Sequence, residues 1–166
     1  MDKKKKILII SGGGIALVIF AVILFLSITK KDPNPAPSPD LDPNAVVYSD
    51  PAAEKPAGQP AEKPEGIRIP GYPRIIISAD TKDVTMNLMN PEGNPCYFTF
   101  EIVLTDEEET LFTSKLVEPG KAVTNVTLSR ALERGEYPAM IRIKTTSLED
   151  GRAMNGANVE TILVVQ

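Results

Sequence analysis

The sequence predicts an all-β domain over residues 67–166, in the form of a seven-stranded sandwich. Two observations carry this fold class. Apolar and polar residues alternate with a period of two in several stretches, as they do in strands that bury one face. Turn-forming residues separate these stretches at intervals of about 8–12 residues, a spacing that is typical of β-sandwiches.

The alternation also sets the boundaries of the strands. Cys96, Phe98 and Phe100 share one face of the clearest stretch, and Tyr97 and Thr99 lie on the other face. The same pattern recurs between clusters of Gly, Pro, Asn and Asp. The predicted strands are 74–79, 84–89, 96–105, 111–117, 122–128, 137–146 and 158–165.

A tyrosine at the start of the sixth strand narrows the fold class. Tyr137 follows Leu132 and Gly135 in the order expected of a tyrosine corner, in which the Tyr hydroxyl bonds back to the preceding turn. Gly135 would allow the tight backbone, and Leu132 would close the end of the core. The alternative is an ordinary surface Tyr in a glycine turn. The corner favours an immunoglobulin-like or fibronectin-type-III-like sandwich.

The first 28 residues predict a membrane anchor. Residues 1–6 are a basic tail with four consecutive lysines, and the 22 residues from 7 to 28 carry no charge. A helix of this length measures about 33 Å, which crosses a hydrocarbon core of about 30 Å. The alternative, a cleaved signal peptide, has a shorter apolar run and a small-residue cleavage site. Because the lysine-rich side stays inside, we expect an uncleaved single-pass anchor in the cell membrane and an extracellular C-terminal domain.

Residues 29–66 have the composition of an extended stalk. Nine of the 15 prolines of the chain lie here, separated mostly by small and charged residues. Such a segment buries too little apolar surface to offset the entropy lost on ordering it. We therefore expect a disordered Pro- and Ala-rich spacer between the anchor and the folded domain, which would begin at Ile67.

Four short motifs stand out within the domain: Ile69-Pro-Gly-Tyr72, Asn90-Pro-Glu-Gly-Asn94-Pro-Cys-Tyr-Phe98, Leu116-Val-Glu-Pro-Gly-Lys121 and Met154-Asn-Gly-Ala157. They resemble an uncharacterised family of small, N-terminally anchored extracellular proteins of Firmicutes and related Gram-positive bacteria. The resemblance covers most of residues 67–166 and repeats the order of anchor, stalk and domain. It implies no established activity, so no catalytic residue follows from it.

The composition excludes several kinds of chemistry. The chain has no His, which removes Ser–His and Cys–His nucleophile pairs and the commonest zinc ligand. The only Cys, Cys96, shares a face with two Phe residues, so we expect a buried thiol; the alternative is an intermolecular disulfide. A net charge of −4 offers no basic surface to nucleic acid. We expect no enzymatic activity, no catalytic residue and no cofactor.

The acidic turns are the remaining candidates for function. If successive strands alternate in direction, turns 80–83, 106–109 and 129–136 collect at the end far from the stalk. These turns hold eight carboxylates and three cationic side chains. We expect a patch that contacts a basic partner surface, formed by Glu107, Glu108, Glu109, Glu133 and Glu136. A weaker prediction is a shared Ca²⁺ ion held by Asp80, Asp83, Asp106 and Glu109. The third interpretation is that these turns are simply solvated.

Two classes of function fit these features. The first is a membrane-anchored extracellular binding or adaptor module that recognises a protein or a cell-wall polymer. The second is a structural subunit of a cell-envelope machine, of the secretion or conjugation type, that packs through its anchor or a sheet edge. The sequence does not identify the ligand.

Overall fold

The computed structural model of the protein describes residues 38–48 and 66–166, which form β-strands and, within these ranges, no α-helix. In the described part of the chain no helix is long and apolar enough to cross a membrane. The expected basic tail (1–6), anchor (7–28) and most of the expected stalk (29–37 and 49–65) lie outside the described residues. Residues from Pro39 to Gln166 belong to one compact unit.

Eight strands make up the described part of the fold. They are β1 (Ala45–Val47), β2 (Ile75–Ile77), β3 (Asp83–Asn90), β4 (Cys96–Leu104), β5 (Glu109–Thr113), β6 (Lys121–Thr127), β7 (Gly135–Ser147) and β8 (Ala153–Val165). Strands β2 to β8 correspond to the seven predicted strands in order. Strand β1 was not predicted.

The strands form two sheets. One has three strands in the order β1-β6-β3, and the other has five strands in the order β2-β8-β7-β4-β5. All neighbouring strands are antiparallel except β2, which runs parallel to β8. This all-β architecture of two sheets confirms the predicted class and is consistent with a β-sandwich.

The core lies where the apolar faces of the two sheets meet. Phe98, Phe100 and Ile141 from the five-stranded sheet pack in one cluster with Leu88 and Val123 from the three-stranded sheet. All five side chains are fully buried, and the two Phe rings meet edge to face with centroids 5.8 Å apart. Burying such a side chain stabilises the fold by about 1.5–3 kcal/mol, so the period-two alternation decides which face turns inward.

The folded unit begins earlier than the sequence predicts. Strand β1 lies in the Pro-rich region that was expected to be stalk throughout, and it pairs antiparallel with Lys121–Val123 of β6. Leu41 forms a further parallel bridge with Leu116. Residues 39–48 thus belong to the folded unit, where they form main-chain hydrogen bonds with residues 116–123.

The hairpin of β7 and β8 is longer than predicted, and a glycine explains why its start was missed. The pairing shifts register between Ile143 and Thr145, where Gly156 approaches the β7 backbone. A Cβ atom at Gly156 would lie 2.2 Å from the carbonyl oxygen of Ile143, so only glycine fits. The irregularity interrupts the alternation, and the connection between the last two strands, predicted to run from 146 to 158, shortens to a turn between Ser147 and Ala153.

The sandwich has two ends that differ in character. Turns 80–83, 106–109 and 129–136 meet at one end, which we name the acidic end. Two contacts connect these turns: Asp80 N donates to Leu132 O, and Arg130 donates to Glu107. Loops 90–95, 118–121 and 148–152 meet at the other, the basal end, where Gly120 N donates to Asn90 O. This placement agrees with the expectation from alternating strand directions.

Candidate functional site

At the acidic end, Arg130 organises the carboxylates of the turn between β4 and β5. Its Nη2 atom lies 2.8 Å from Glu107 Oε2 and 2.8 Å from Glu109 Oε2, and its Nε donates to Glu109 Oε2 at 2.9 Å. The hydrogen bonds that Arg130 donates to the two carboxylates lower the pKa of the Glu109 carboxyl and raise the pKa of Arg130. The sequence did not reveal this pairing, because it depends on how the turns are placed in three dimensions.

The predicted patch is therefore partly neutralised. Besides the two carboxylates that Arg130 contacts, Glu136 pairs with Arg74, which precedes β2. In the described part of the chain the side chains of Glu108 and Glu133 have no ion-pair or hydrogen-bond partner and are exposed. The structure brings all five predicted glutamates to one end but leaves only these two free for a partner.

Two residues at this end adopt a left-handed backbone conformation. Asp80 has a φ of 59° and Glu108 a φ of 51°. These are the positive-φ residues other than glycine in the described part of the chain. In this conformation a side chain is oriented away from the regular strand, and both carboxylates are exposed to solvent.

The four weaker Ca²⁺ candidates do not form a cation site. Within residues 38–48 and 66–166 there is no group of three or more acidic side chains placed to hold a metal ion. Asp83 accepts a hydrogen bond from Thr127 Oγ1 at 2.7 Å, and Glu109 is engaged by Arg130. The turns thus use two of the four carboxylates to fix their own geometry.

Tyr137 makes a hydrogen bond of the kind found in a tyrosine corner. Its hydroxyl donates to the backbone carbonyl of Glu133 at 3.1 Å, four residues earlier in the chain. Leu132 is 1% exposed and closes the core at this end, and a Cβ on Gly135 would lie 3.4 Å from the Tyr137 ring. The bond is solvent-exposed, so its contribution to stability is smaller than that of a buried bond.

Cys96, at the start of β4, is fully buried. Burial raises the pKa of its thiol, so the nucleophilic thiolate is disfavoured. Its carbonyl oxygen accepts a hydrogen bond from Asn90 Nδ2 at 2.9 Å. The residue is placed as a small core side chain.

The basal end contains a buried polar network that sequence reasoning missed. Asn90 Nδ2 donates to the carbonyls of Cys96 and Val117 at 2.9 Å each, and Asn90 Oδ1 accepts from Asn94 Nδ2 at 2.8 Å. Asn94 Oδ1 accepts a hydrogen bond from the Arg68 backbone N–H, and Asn94 Nδ2 donates to the Arg68 carbonyl oxygen, each at 2.9 Å. The sequence feature that could have indicated this network is the pair of Asn-Pro dipeptides at 90–91 and 94–95. The network holds the backbone of Arg68 against this loop.

Residues 38–48, which we name the donor segment, form a second feature that the sequence did not predict. Asp42 is 9% exposed, and its two carboxylate oxygens accept backbone N–H groups of Asn44 and Lys115 at 2.9 Å each. Asp40 also pairs with Lys115 Nζ at 2.8 Å. The run Ala45-Val46-Val47-Tyr48, rich in strand-forming residues within a Pro-rich region, was the signal for it.

The outer face of the five-stranded sheet carries two open grooves. One, of about 520 Å³, lies beside Gly156 and is lined by Thr99, Arg142, Lys144 and Asn158. Lys144 pairs with Glu101, which reduces the positive charge there. The other, of about 510 Å³, is lined by Pro73, Thr105, Pro138, Glu160 and Ile162 among others. Neither groove brings together two carboxylates or a thiol with a base.

Comparison of the chain with protein-family models, with curated proteins and with solved structures finds no match.

Proposed function

We propose that this protein is a membrane-anchored extracellular binding module that uses its acidic end to contact a basic partner surface. The observation that carries the proposal is the pair of unpartnered glutamate side chains, Glu108 and Glu133, at the acidic end. Tyr48 and Arg68, which flank residues 49–65, both contact the basal end, at the opposite end of the sandwich from these two glutamates.

The finer fold assignment in this proposal is an immunoglobulin-like sandwich. The order β2-β8-β7-β4-β5 supports it, because it corresponds to strands A′, G, F, C and C′ of such domains. Strands β3 and β6 then correspond to B and E. Strand β1 occupies the position beside E that strand D takes in other members of the class, although here it comes from the N-terminal side of the domain.

The proposal assigns no catalytic role, no cofactor and no nucleic-acid partner to the chain. The burial of its one thiol supports this, as does the use of Glu107 and Glu109 in ion pairs with Arg130. Both features reduce the reactivity of the groups that would be needed for nucleophilic or acid–base chemistry. The proposed partner is instead a protein with a basic surface.

The anchored and extracellular location is tested by protease treatment of intact cells without their wall. We expect cleavage within residues 49–65, which link the donor segment to the domain, and a resistant fragment that includes residues 66–166. A chain that is cleaved only after lysis would contradict the proposed location.

The acidic end is tested by reversing the charge of its two unpartnered glutamate side chains in the full chain, with Glu108→Lys and Glu133→Lys combined. These changes leave the Arg130 ion pairs in place. The matched control combines Glu149→Lys and Glu160→Lys, two exposed glutamates elsewhere on the domain with the same change in charge. We expect partner recovery by crosslinking in cells to fall only in the first variant, and to fall with added salt in the wild type. Equal recovery from both variants would refute this use of the acidic end.

The second candidate function is a structural subunit of an envelope machine. The observation that favours it is the pairing of the donor segment with β6, because it shows that an edge of this sandwich accepts an added strand. Replacing Ile7–Ile28 with an unrelated membrane span separates the two functions. A binding module retains its partner after this replacement, and a subunit that packs through its anchor loses it.

A further inference from the structure

The donor segment is bound to the domain much as a separate peptide would be. Asp42 N donates to Leu116 O at 2.8 Å, and Leu116 N donates to Asp40 O at 3.1 Å. Tyr48 N donates to Gly120 O at 2.9 Å, and β1 pairs with Lys121–Val123 between these points. Among the described residues, its hydrogen bonds to other segments are made to residues 115–123, a single continuous stretch that we name the acceptor edge.

Side chains make this pairing specific. Asp42 is nearly buried, and it accepts the Lys115 backbone N–H with one oxygen and the Asn44 N–H with the other. Ala45 packs against the core cluster. An unrelated extended peptide would form the main-chain bonds but would lack the carboxylate at this position. The acceptor edge is therefore matched to the sequence of its own donor segment.

The connection between the donor segment and the domain is far longer than its docking requires. Tyr48 N donates to Gly120 O, and the Arg68 side chain donates to the Glu92 carbonyl. Gly120 and Glu92 are neighbours, since a Cβ on Gly120 would lie 3.7 Å from the Glu92 side chain. The two ends of the connection thus lie near each other. Residues 49–65 span up to about 60 Å when extended, several times what is needed.

We propose that the donor segment exchanges between two copies of this chain, so that residues 38–48 of each copy bind the acceptor edge of the other. The contacts are the same within one copy and between two, so the balance depends on concentration. A connection of this length gives an effective concentration on the order of millimolar within one copy. Copies confined to one membrane at high density reach this range. The confinement rests on the proposed anchor; the exchange itself does not.

The test uses two cysteine variants of the full chain, each with a tag of different size. Val47 and Lys121 face each other in the pairing of β1 with β6, at a separation that suits a disulfide. One chain carries Val47→Cys and the other Lys121→Cys, so neither can form this disulfide within itself. Cys96 is buried and remains in both. The control replaces Lys121→Cys with Thr85→Cys, an exposed position on β3, which does not neighbour β1.

The chains are mixed in lipid vesicles at many copies or few copies per vesicle, and oxidised in a thiol–disulfide buffer. At high density we expect roughly tenfold more mixed disulfide from the Val47 and Lys121 pair than from the control pair, with a decline towards control level at low density. Mixed disulfide at control level at both densities would overturn exchange. Flotation with the vesicles reports the anchor separately, so failure of the anchor is distinguished from failure of exchange.

A chain that carries both Val47→Cys and Lys121→Cys completes the test. At low density it should form the disulfide within one copy, which shows that the donor segment docks as described. Absence of this disulfide would overturn the proposal at its first step. In cells, formation of a disulfide between the Lys121→Cys chain and a different protein, in place of a second copy, would overturn the assignment of the partner.

Discussion

The basal and acidic ends of the same sandwich are held together by different forces. At the basal end, Asn90 and Asn94 are buried and use their amide groups to satisfy backbone groups of neighbouring segments. At the acidic end, the turns are joined by ion pairs of Arg130 and Arg74, whose side chains are 41% and 49% exposed. Buried hydrogen bonds are costly to break, whereas exposed ion pairs contribute little and weaken with salt.

This difference indicates that the two ends of the domain have different roles. The basal end has the buried side chains of Asn90 and Asn94 in addition to its ion pairs, Lys121 with Glu118 and Arg152 with Asp150. The opposite end keeps its charges accessible and depends little on them for folding. Four predictions, from the largest expected effect to the smallest, test the contrast on a chain that consists of residues 38–166.

The largest effect is expected for Asn90→Ala. The change removes two hydrogen bonds to backbone carbonyls and leaves Asn94 without its side-chain partner, in a site that water does not reach. We expect a loss of about 2–4 kcal/mol in the free energy of unfolding, measured with denaturant. Asn87→Ala, at an exposed position of the same strand, is the control and should change stability by less than about 0.5 kcal/mol. Equal losses from the two variants would contradict the network.

The second prediction concerns the thiol of Cys96 at the start of β4. Because the side chain is fully buried and its pKa is raised, we expect it to react with a thiol reagent at least about a hundredfold more slowly in the native domain than in denaturant. The rate in the native domain should stay low as the pH is raised to the ordinary thiol pKa. Rapid labelling of the native domain would show that the basal end opens readily.

The third prediction compares two tyrosines from opposite ends. At the basal end, Tyr72 is 8% exposed, burial raises its pKa, and its hydroxyl accepts the Met89 N–H at 3.1 Å. Tyr137 makes its bond to Glu133 in contact with solvent. We expect Tyr72→Phe to cost about 1–3 kcal/mol and Tyr137→Phe about 0.5–1 kcal/mol in denaturant unfolding. A larger loss for Tyr137→Phe would reverse the contrast between the two ends.

The smallest effect is expected for Arg130→Met. Hydrogen bonds from Arg130 lower the pKa of Glu109, so the pair stabilises the fold above the unfolded-state pKa of Glu, about 4.3, and is lost as the pH falls below it. The stability difference from wild type should be small at neutral pH and vanish in acid or in molar salt. Arg134→Met, in the same turn and without an ion pair, is the control. A difference that persists in molar salt would indicate packing of the Arg130 stem.

The strands that alternate cleanly could be predicted from sequence because local pattern decides them. In β4, each of Cys96, Phe98 and Phe100 is buried, and the residues between them are partly exposed. Strand β1 could not be predicted in this way. It has three residues, none of them buried, and its segment is fixed by contacts such as that of Asp42 with Lys115, 73 residues later in the chain.

The candidate site shows the same limit. The strand order placed Glu107, Glu108, Glu109, Glu133 and Glu136 at one end, since turns that follow alternate strands meet there. Which of these carboxylates remain free was not predictable, because Arg130 reaches its partners across 21 to 23 residues of sequence. Composition sets the charge of a surface, and tertiary structure decides how much of it is left for a partner.

The left-handed conformation of Glu108 has a consequence for how this surface could change. A non-glycine residue with this backbone geometry, φ 51°, costs about 1 kcal/mol that glycine would avoid. Substitution by glycine would thus be favoured by stability alone, and Asp80, with φ 59°, is in the same situation. A carboxylate at either position therefore carries a cost in stability that glycine would not. Stability and surface charge thus favour different amino acids at these two residues.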